Sequence, residues 1–165
     1  MANQEHVTII KKGADEWNRW RKENPDLKPD LSWANLTGAD LGGINLEDAN
    51  MKLAFCKGSK LIGARLTHAT LFGTNFEGAN LAGATLEGAT LEGAHLIKAD
   101  LSGANFRGVN FKLANLQDAV LEGADLTGCA KLSADQLSAA KTLRNAKLDP
   151  ALLNEVSNKR PELFR

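Results

Sequence analysis

The sequence predicts a repetitive all-β solenoid with short α-helical segments at both ends. Three observations predict it. A large apolar residue recurs at every fifth position from Leu31 to Leu126, with Met51, Cys56, Phe76, Phe106 and Phe111 among the leucines. A small residue, usually alanine, stands two places before each one; Pro29, Ile44, Ser59, Thr74 and Val109 are the exceptions. Glycine is common two places after it, as at Gly58, Gly63, Gly73, Gly78 and Gly83. The register holds from residue 29 to residue 128, which is 20 repeats of five.

A period of five fits neither regular element. In a straight strand it sends successive leucines to opposite faces. In an α-helix five residues advance roughly 140° net, so the leucines spiral around the axis and form no stripe. The small and the large residue, two apart, do share a face of an extended segment. A short extended piece followed by a bend, repeated, points every such pair at one axis. Glycine and the Asn or Asp between the pair supply the bend chemistry. One coil cannot bury its own edges, so the coils must stack through backbone hydrogen bonds.

The motif, as in Ala39-Asp40-Leu41-Gly42-Gly43 and Ala79-Asn80-Leu81-Ala82-Gly83, resembles the pentapeptide-repeat family. The resemblance implies a right-handed quadrilateral β-helix with four repeats per coil, hence about five coils. At about 4.8 Å per stacked strand the column is roughly 24 Å tall. The implied organisation is an N-terminal helical cap and linker over 1–28, the repeat column over 29–128, and a C-terminal helical cap over 129–165.

A stacked column exposes two ends, and the flanks read as covers for them. Residues 14–24 read as an amphipathic helix stopped by Pro25. Trp17 and Trp20 share one face of it, and with Trp33 they are expected to pack over the first coil. Val7, Ile9 and Ile10 form an apolar stretch too short to classify. This N-terminal layout is similar to that of many cyanobacterial pentapeptide-repeat proteins. Past Gly128 the pattern fails. Ser133 and Gln136 form a capping-box signature, which predicts a helix of about ten residues with Leu137 and Ala140 facing inward. Asp149-Pro150 reads as the start of a second helix, with Leu152, Leu153 and Val156 as its apolar stripe and Pro161 beyond its end.

Composition narrows the function. Lys and Arg total 20 and Asp and Glu total 20, so no overall basic field gathers nucleic acid. An apolar fraction of 43% argues against disorder. No run reaches the length of a membrane span, and the N-terminus lacks the features of a signal peptide. Two cysteines make no disulfide framework, and a cytoplasmic protein is expected. No titratable cluster suits catalysis, so no enzyme, metal or cofactor is expected. His68 and His95 fall on outward slots, whereas Cys56 and Ser59 point inward. Cys129 lies roughly 17 Å along the axis from Cys56, beyond disulfide reach.

Binding remains as the function class. Most outward slots are small or polar. Leu53, Phe55, Ile62, Phe72, Ile97, Leu113 and Val120 are not. On four sides, Leu53 and Phe55 flank one corner and Phe72 stands beside it one coil along. That apolar group is the candidate surface for another protein. The N-terminal segment folding back, or a second copy in a weak dimer, would cover the same residues. The leading expectation is a rigid, non-enzymatic scaffold that binds a protein partner. The alternative comes from the resemblance: some family members mimic duplex DNA and bind type II topoisomerases such as gyrase. DNA of this height carries roughly 14 charges. Residues 31–128 hold seven basic and ten acidic side chains, a net of −3. The 129–165 tail is net +3 and offers a second docking reading.

Overall fold

The computed structural model describes residues 2–165. Its helices are α1 (Gln4–Ile10), α2 (Ala14–Glu23), α3 (Ala134–Ser138) and α4 (Pro150–Lys159), followed by a 3-10 turn at Pro161–Phe164. Between α2 and α3 the chain makes isolated parallel bridges, each joining a residue to the one 20 places on, from Asp30 with Asn50 through Asn110 with Ala130. Twenty residues are four repeats, so each coil has four sides.

The backbone donors of one repeat explain its residue types. In Ala34-Asn35-Leu36-Thr37-Gly38, the Leu36 N–H donates to Phe55 O at 2.7 Å and the Gly38 N–H to Lys57 O at 2.9 Å, both in the next coil. The Ala39 N–H closes a turn on Leu36 O at 3.1 Å. Phe55 at the bridge position donates back to Ala34 O at 2.9 Å. The fifth donor, Thr37 N–H, meets the Asn35 Oδ1 at 3.1 Å. Asn or Asp before the large residue thus satisfies the donor that the ladder leaves over. The same bond recurs at Asn45, Asn50, Asn75, Asn80, Asp100 and Asn105.

The turns are equally uniform. From position 33 to position 128 the second turn residue of every repeat has φ between +57° and +67°. With an ordinary φ at the first turn residue this is a type II turn, which favours glycine. Glycine holds thirteen of these positions; Trp33, Asp48, Leu53, His68, Lys98, Leu113 and Asp118 hold the rest.

Inside the column the large residues are buried to 2% exposure or less. Ser59 and Thr74, in alanine slots, are also buried, and their hydroxyls donate to Cys56 O and Met51 O at 2.8 Å. Buried hydroxyls with such partners avoid the cost of a stranded polar group.

At the N-terminal end Val7, Ile9 and Ile10 belong to α1, which starts at Asn3, whose side chain accepts from the Glu5 and His6 N–H groups. Trp17 is fully buried and its ring packs 5.0 Å from that of Trp20. Trp33 departs from expectation. It is 55% exposed, because it occupies a second turn position, and those point away from the axis.

The C-terminal end differs more. The capping box at Ser133 and Gln136 is present, but α3 is five residues long. The chain then rejoins the column: Thr142 bridges Val120 and Lys147 bridges Asp125, at a spacing of 22. α3 is therefore a two-residue insertion in the ladder, and Leu143 and Leu148 are buried below the coil above. Asp149 stands at the start of α4, yet its carboxylate accepts from the Gly128 N–H at 3.2 Å rather than capping the helix. In α4, Val156 is buried, while Leu153 is 39% exposed.

Candidate functional site

The corner between the 30-series and the 35-series sides carries the candidate surface. Its second turn positions, one coil apart, are Trp33, Leu53 and Gly73. The Leu53 N–H donates to Phe72 O at 2.8 Å, which places Phe72 in the coil directly below. The Leu53 side chain lies across Gly73: a Cβ there would stand 2.7 Å from Leu53 Cδ2. Lys52 sets its ammonium 5.3 Å from the Phe72 ring centroid, a cation–π arrangement. Phe55 occupies the neighbouring side, in the ladder from Asn35 to Asn75.

The structure thus places Leu53, Phe55 and Phe72 around one corner and adds Trp33 to them. Phe55 is 45% exposed and Phe72 is 39% exposed, while Leu53 is half-buried against the coil below. Helices α1 and α2 pack on the end of the first coil and leave both phenylalanines open, so the N-terminal segment does not cover them. Trp33 could have been found in the sequence: it falls two places after Leu31, where glycine is the rule.

Local structure is sacrificed at this corner. Trp33 and Leu53 hold φ of +64° and +58°, a conformation that costs a residue with a side chain roughly 1–2 kcal/mol. Phe55 stands where Asn or Asp would accept the N–H two residues on, so it gives up that bond. The other exposed apolar residues stand apart. Ile62 is alone on another corner. Leu113, 77% exposed, borders a cleft of about 470 Å³ with Lys131 and Gln136.

Among the described residues about half of the charged groups are paired. Asp40, Glu47, Glu77 and Glu92 meet Lys60, Arg65, Lys57 and Lys112 at 2.7–3.2 Å, in each case bridging adjacent coils. In the tail, Arg144, Lys147, Lys159 and Arg160 pair with Glu122, Asp125, Asp135 and Glu162. Four of the tail's seven basic side chains are thus paired within the fold, and Lys131, Lys141 and Arg165 are not among them.

Among the described residues no group of three His, Cys, Asp or Glu side chains could hold a metal ion. His68 is a second turn residue, whereas His95 stands in the ladder between Asn75 and Asn115. Both cysteines are free. Burial pushes the Cys56 thiol up to about 12, and the Cys129 thiol, which donates to Phe106 O, is also pushed up to about 12, mainly by burial. No described helix is long and apolar enough to cross a membrane.

The family model for pentapeptide repeats matches in overlapping stretches, 30–67, 59–96, 74–112 and 94–129. Solved structures similar to the chain include HetL, a pentapeptide repeat protein involved in heterocyst differentiation regulation from the cyanobacterium Nostoc sp. strain PCC 7120. It is 25% identical, with 74% of this chain and 73% of HetL covered and a TM-score of 0.39. A second pentapeptide repeat protein from Nostoc PCC 7120 is 28% identical, with 79% and 91% covered and a TM-score of 0.42. QnrB1, a plasmid-mediated fluoroquinolone resistance protein, is 18% identical, with 80% and 84% covered and a TM-score of 0.39. No curated protein matches the sequence.

Proposed function

Because the chain belongs to the pentapeptide repeat family, whose members are right-handed quadrilateral β-helices and generally structural or binding proteins, we propose that it is a rigid, non-enzymatic scaffold. It docks another protein on the corner formed by Trp33, Leu53, Phe55 and Phe72. One observation carries this reading: three of the four clustered apolar side chains, Trp33, Leu53 and Phe55, stand where the fold calls for Gly or Asn. Aromatic groups on a stiff frame lose little conformational entropy on binding, which suits them to act as anchors. The flanking helices are read as covers for the two ends of about five coils and part of a sixth.

Affinity capture followed by mass spectrometry tests the assignment, comparing the wild type with the Phe55→Ser/Phe72→Ser variant. Loss of the captured partner on substitution, with the melting profile retained, supports it. A partner retained by the variant places the docking site elsewhere. Light scattering on both proteins distinguishes a weak dimer, which would dissociate on substitution. The DNA-mimic reading fits less well. It needs a dense acidic surface, and the cross-coil pairs neutralise Asp40, Glu47, Glu77 and Glu92. Inhibition of gyrase supercoiling by the purified protein would reverse that ranking.

A further inference from the structure

The N-terminal end of the column is covered on two of its four sides. On the 30-series side the Asp30 N–H donates to His6 Nδ1 at 3.0 Å and Asp30 O accepts from the Asn3 N–H at 3.0 Å. On the 45-series side Asn18 Oδ1 accepts from the Asn45 N–H at 2.7 Å, and Trp17 Nε1 donates to Asn45 O at 2.6 Å. These groups of α1 and α2 take the place of a preceding coil.

The remaining two sides have no such substitute. Among the described residues the Asn35 and Asp40 N–H groups have no hydrogen-bond acceptor, although their counterparts one coil on, Phe55 and Lys60, donate to Ala34 O and Ala39 O at 2.9 Å. A groove of about 270 Å³ runs along this open edge. Leu36 and Leu41 line it on the column side, Ile10 and Gly13 on the other, with Lys11 and Asp40 among its polar groups. That volume is below the usual range for small-molecule pockets, roughly 300–1,000 Å³.

We propose that this edge receives an extended segment supplied by another chain, by β-augmentation, and that the segment has the pentapeptide pattern. The hydrogen bonds specify the occupant. An ordinary straight strand reaches the Asn35 side or the Asp40 side, because a corner at Thr37-Gly38 separates them. A backbone that serves both must turn that corner as the coil beneath does. In the ladder such a backbone offers the carbonyl of its small residue to the bridge-position N–H, and the N–H of its large residue to the bridge-position carbonyl. Two consecutive repeats supply two of each, and main-chain pairing of this kind gives affinity without side-chain specificity.

The probe is the synthetic peptide GANLAGATLEG, which carries two repeats in the sequence of residues 78–88. Solvent exchange of assigned amides is followed by NMR on the full chain. Without peptide, Asn35 and Asp40 should exchange far faster than Phe55 and Lys60. With peptide at about 1 mM and a Kd of about 0.1 mM, Asn35 and Asp40 should slow together by about tenfold while Asn45 does not change. The same peptide N-methylated at both leucines should give no slowing. The Phe55→Ser/Phe72→Ser variant should bind the peptide as the wild type does, which separates this edge from the aromatic corner. Failure of the peptide to slow either amide overturns the proposal. So does equal slowing by the N-methylated peptide or by one of scrambled sequence.

Discussion

Gly73 offers the sharpest test of how the candidate corner is built. Replacing Gly73 by Ala adds one methyl group at φ +61°, where that methyl would stand 2.7 Å from Leu53 Cδ2. Gly103 is the reference site: its φ is +64° and a Cβ there has open space around it. Gly103→Ala should cost about 1 kcal/mol for the left-handed conformation alone. Gly73→Ala carries that cost and also lifts Leu53 off its bed. Half the burial of a leucine is worth about 1 kcal/mol, so the total is about 2 kcal/mol. For a chain of this length each kcal/mol moves the melting temperature by about 2–4 °C. In a Leu53→Gly background, Gly73→Ala should fall back to the Gly103→Ala value, a coupling of about 1 kcal/mol. The assay is reversible denaturant unfolding of the four proteins of the cycle and of Gly103→Ala. Equal effects of Gly73→Ala and Gly103→Ala would refute the reasoning, because Leu53 would then not rest on Gly73. Partner capture should weaken in Gly73→Ala, although every side chain of the corner is retained.

Three further outcomes follow from the structure. Trp17→Phe retains an aromatic ring but removes the donor to Asn45 O, so urea unfolding should show a loss of about 1–3 kcal/mol; an unchanged midpoint would mean that water replaces the indole. Both thiols are held up by burial, so neither Cys56 nor Cys129 should react readily with an aromatic disulfide reagent near pH 8, and both should react in denaturant; rapid native labelling of Cys56 would contradict its burial. The Thr127 hydroxyl and N–H and the nearby Lys147 hold the Asp125 carboxyl below its ordinary range. A depressed folded value means that Asp125 stabilises the fold above about pH 4 and that this contribution disappears as pH falls through the folded value. Asp125→Asn should therefore lower the neutral-pH melting temperature and show a smaller further loss on acidification, measured by thermal melts across the acid range.

The column itself was legible because one periodicity encodes both its inside and its corners. Leu31 through Leu126 mark the axis, and their companions two places earlier mark the same face. The resumed column was not legible, because α3 shifts the phase by two. Leu143 and Leu148 fall off the series that ends at Leu126, and Ala146-Lys147-Leu148 is too short to announce a new one. α1 was hidden for a different reason: seven residues hold too few turns to show a helical period, and Asn3 at its cap is one residue among many polar ones. Trp33 was misplaced because an aromatic near two others reads as core, whereas its slot in the repeat decides its direction.

That slot also explains why exposure alone is a poor guide to function here. The fold asks one thing of the second turn position, a positive φ, and glycine meets the demand at least cost. Asp48 and Asp118 tolerate the conformation better than most residues. His68 and Leu53 recover contact by lying over Gly88 and Gly73 in the next coil. Leu113 is more exposed than either phenylalanine of the corner, yet no large apolar neighbour stands beside it: Gly93 holds the same turn position one coil earlier, and Lys131, Ser133 and Gln136 border it on the other side. A solitary apolar side chain offers a partner little area to bury. Trp33 and Leu53 carry the same backbone cost side by side, with Phe55 and Phe72 next to them, and a combined apolar surface of that kind can hold a protein against the entropy lost on association.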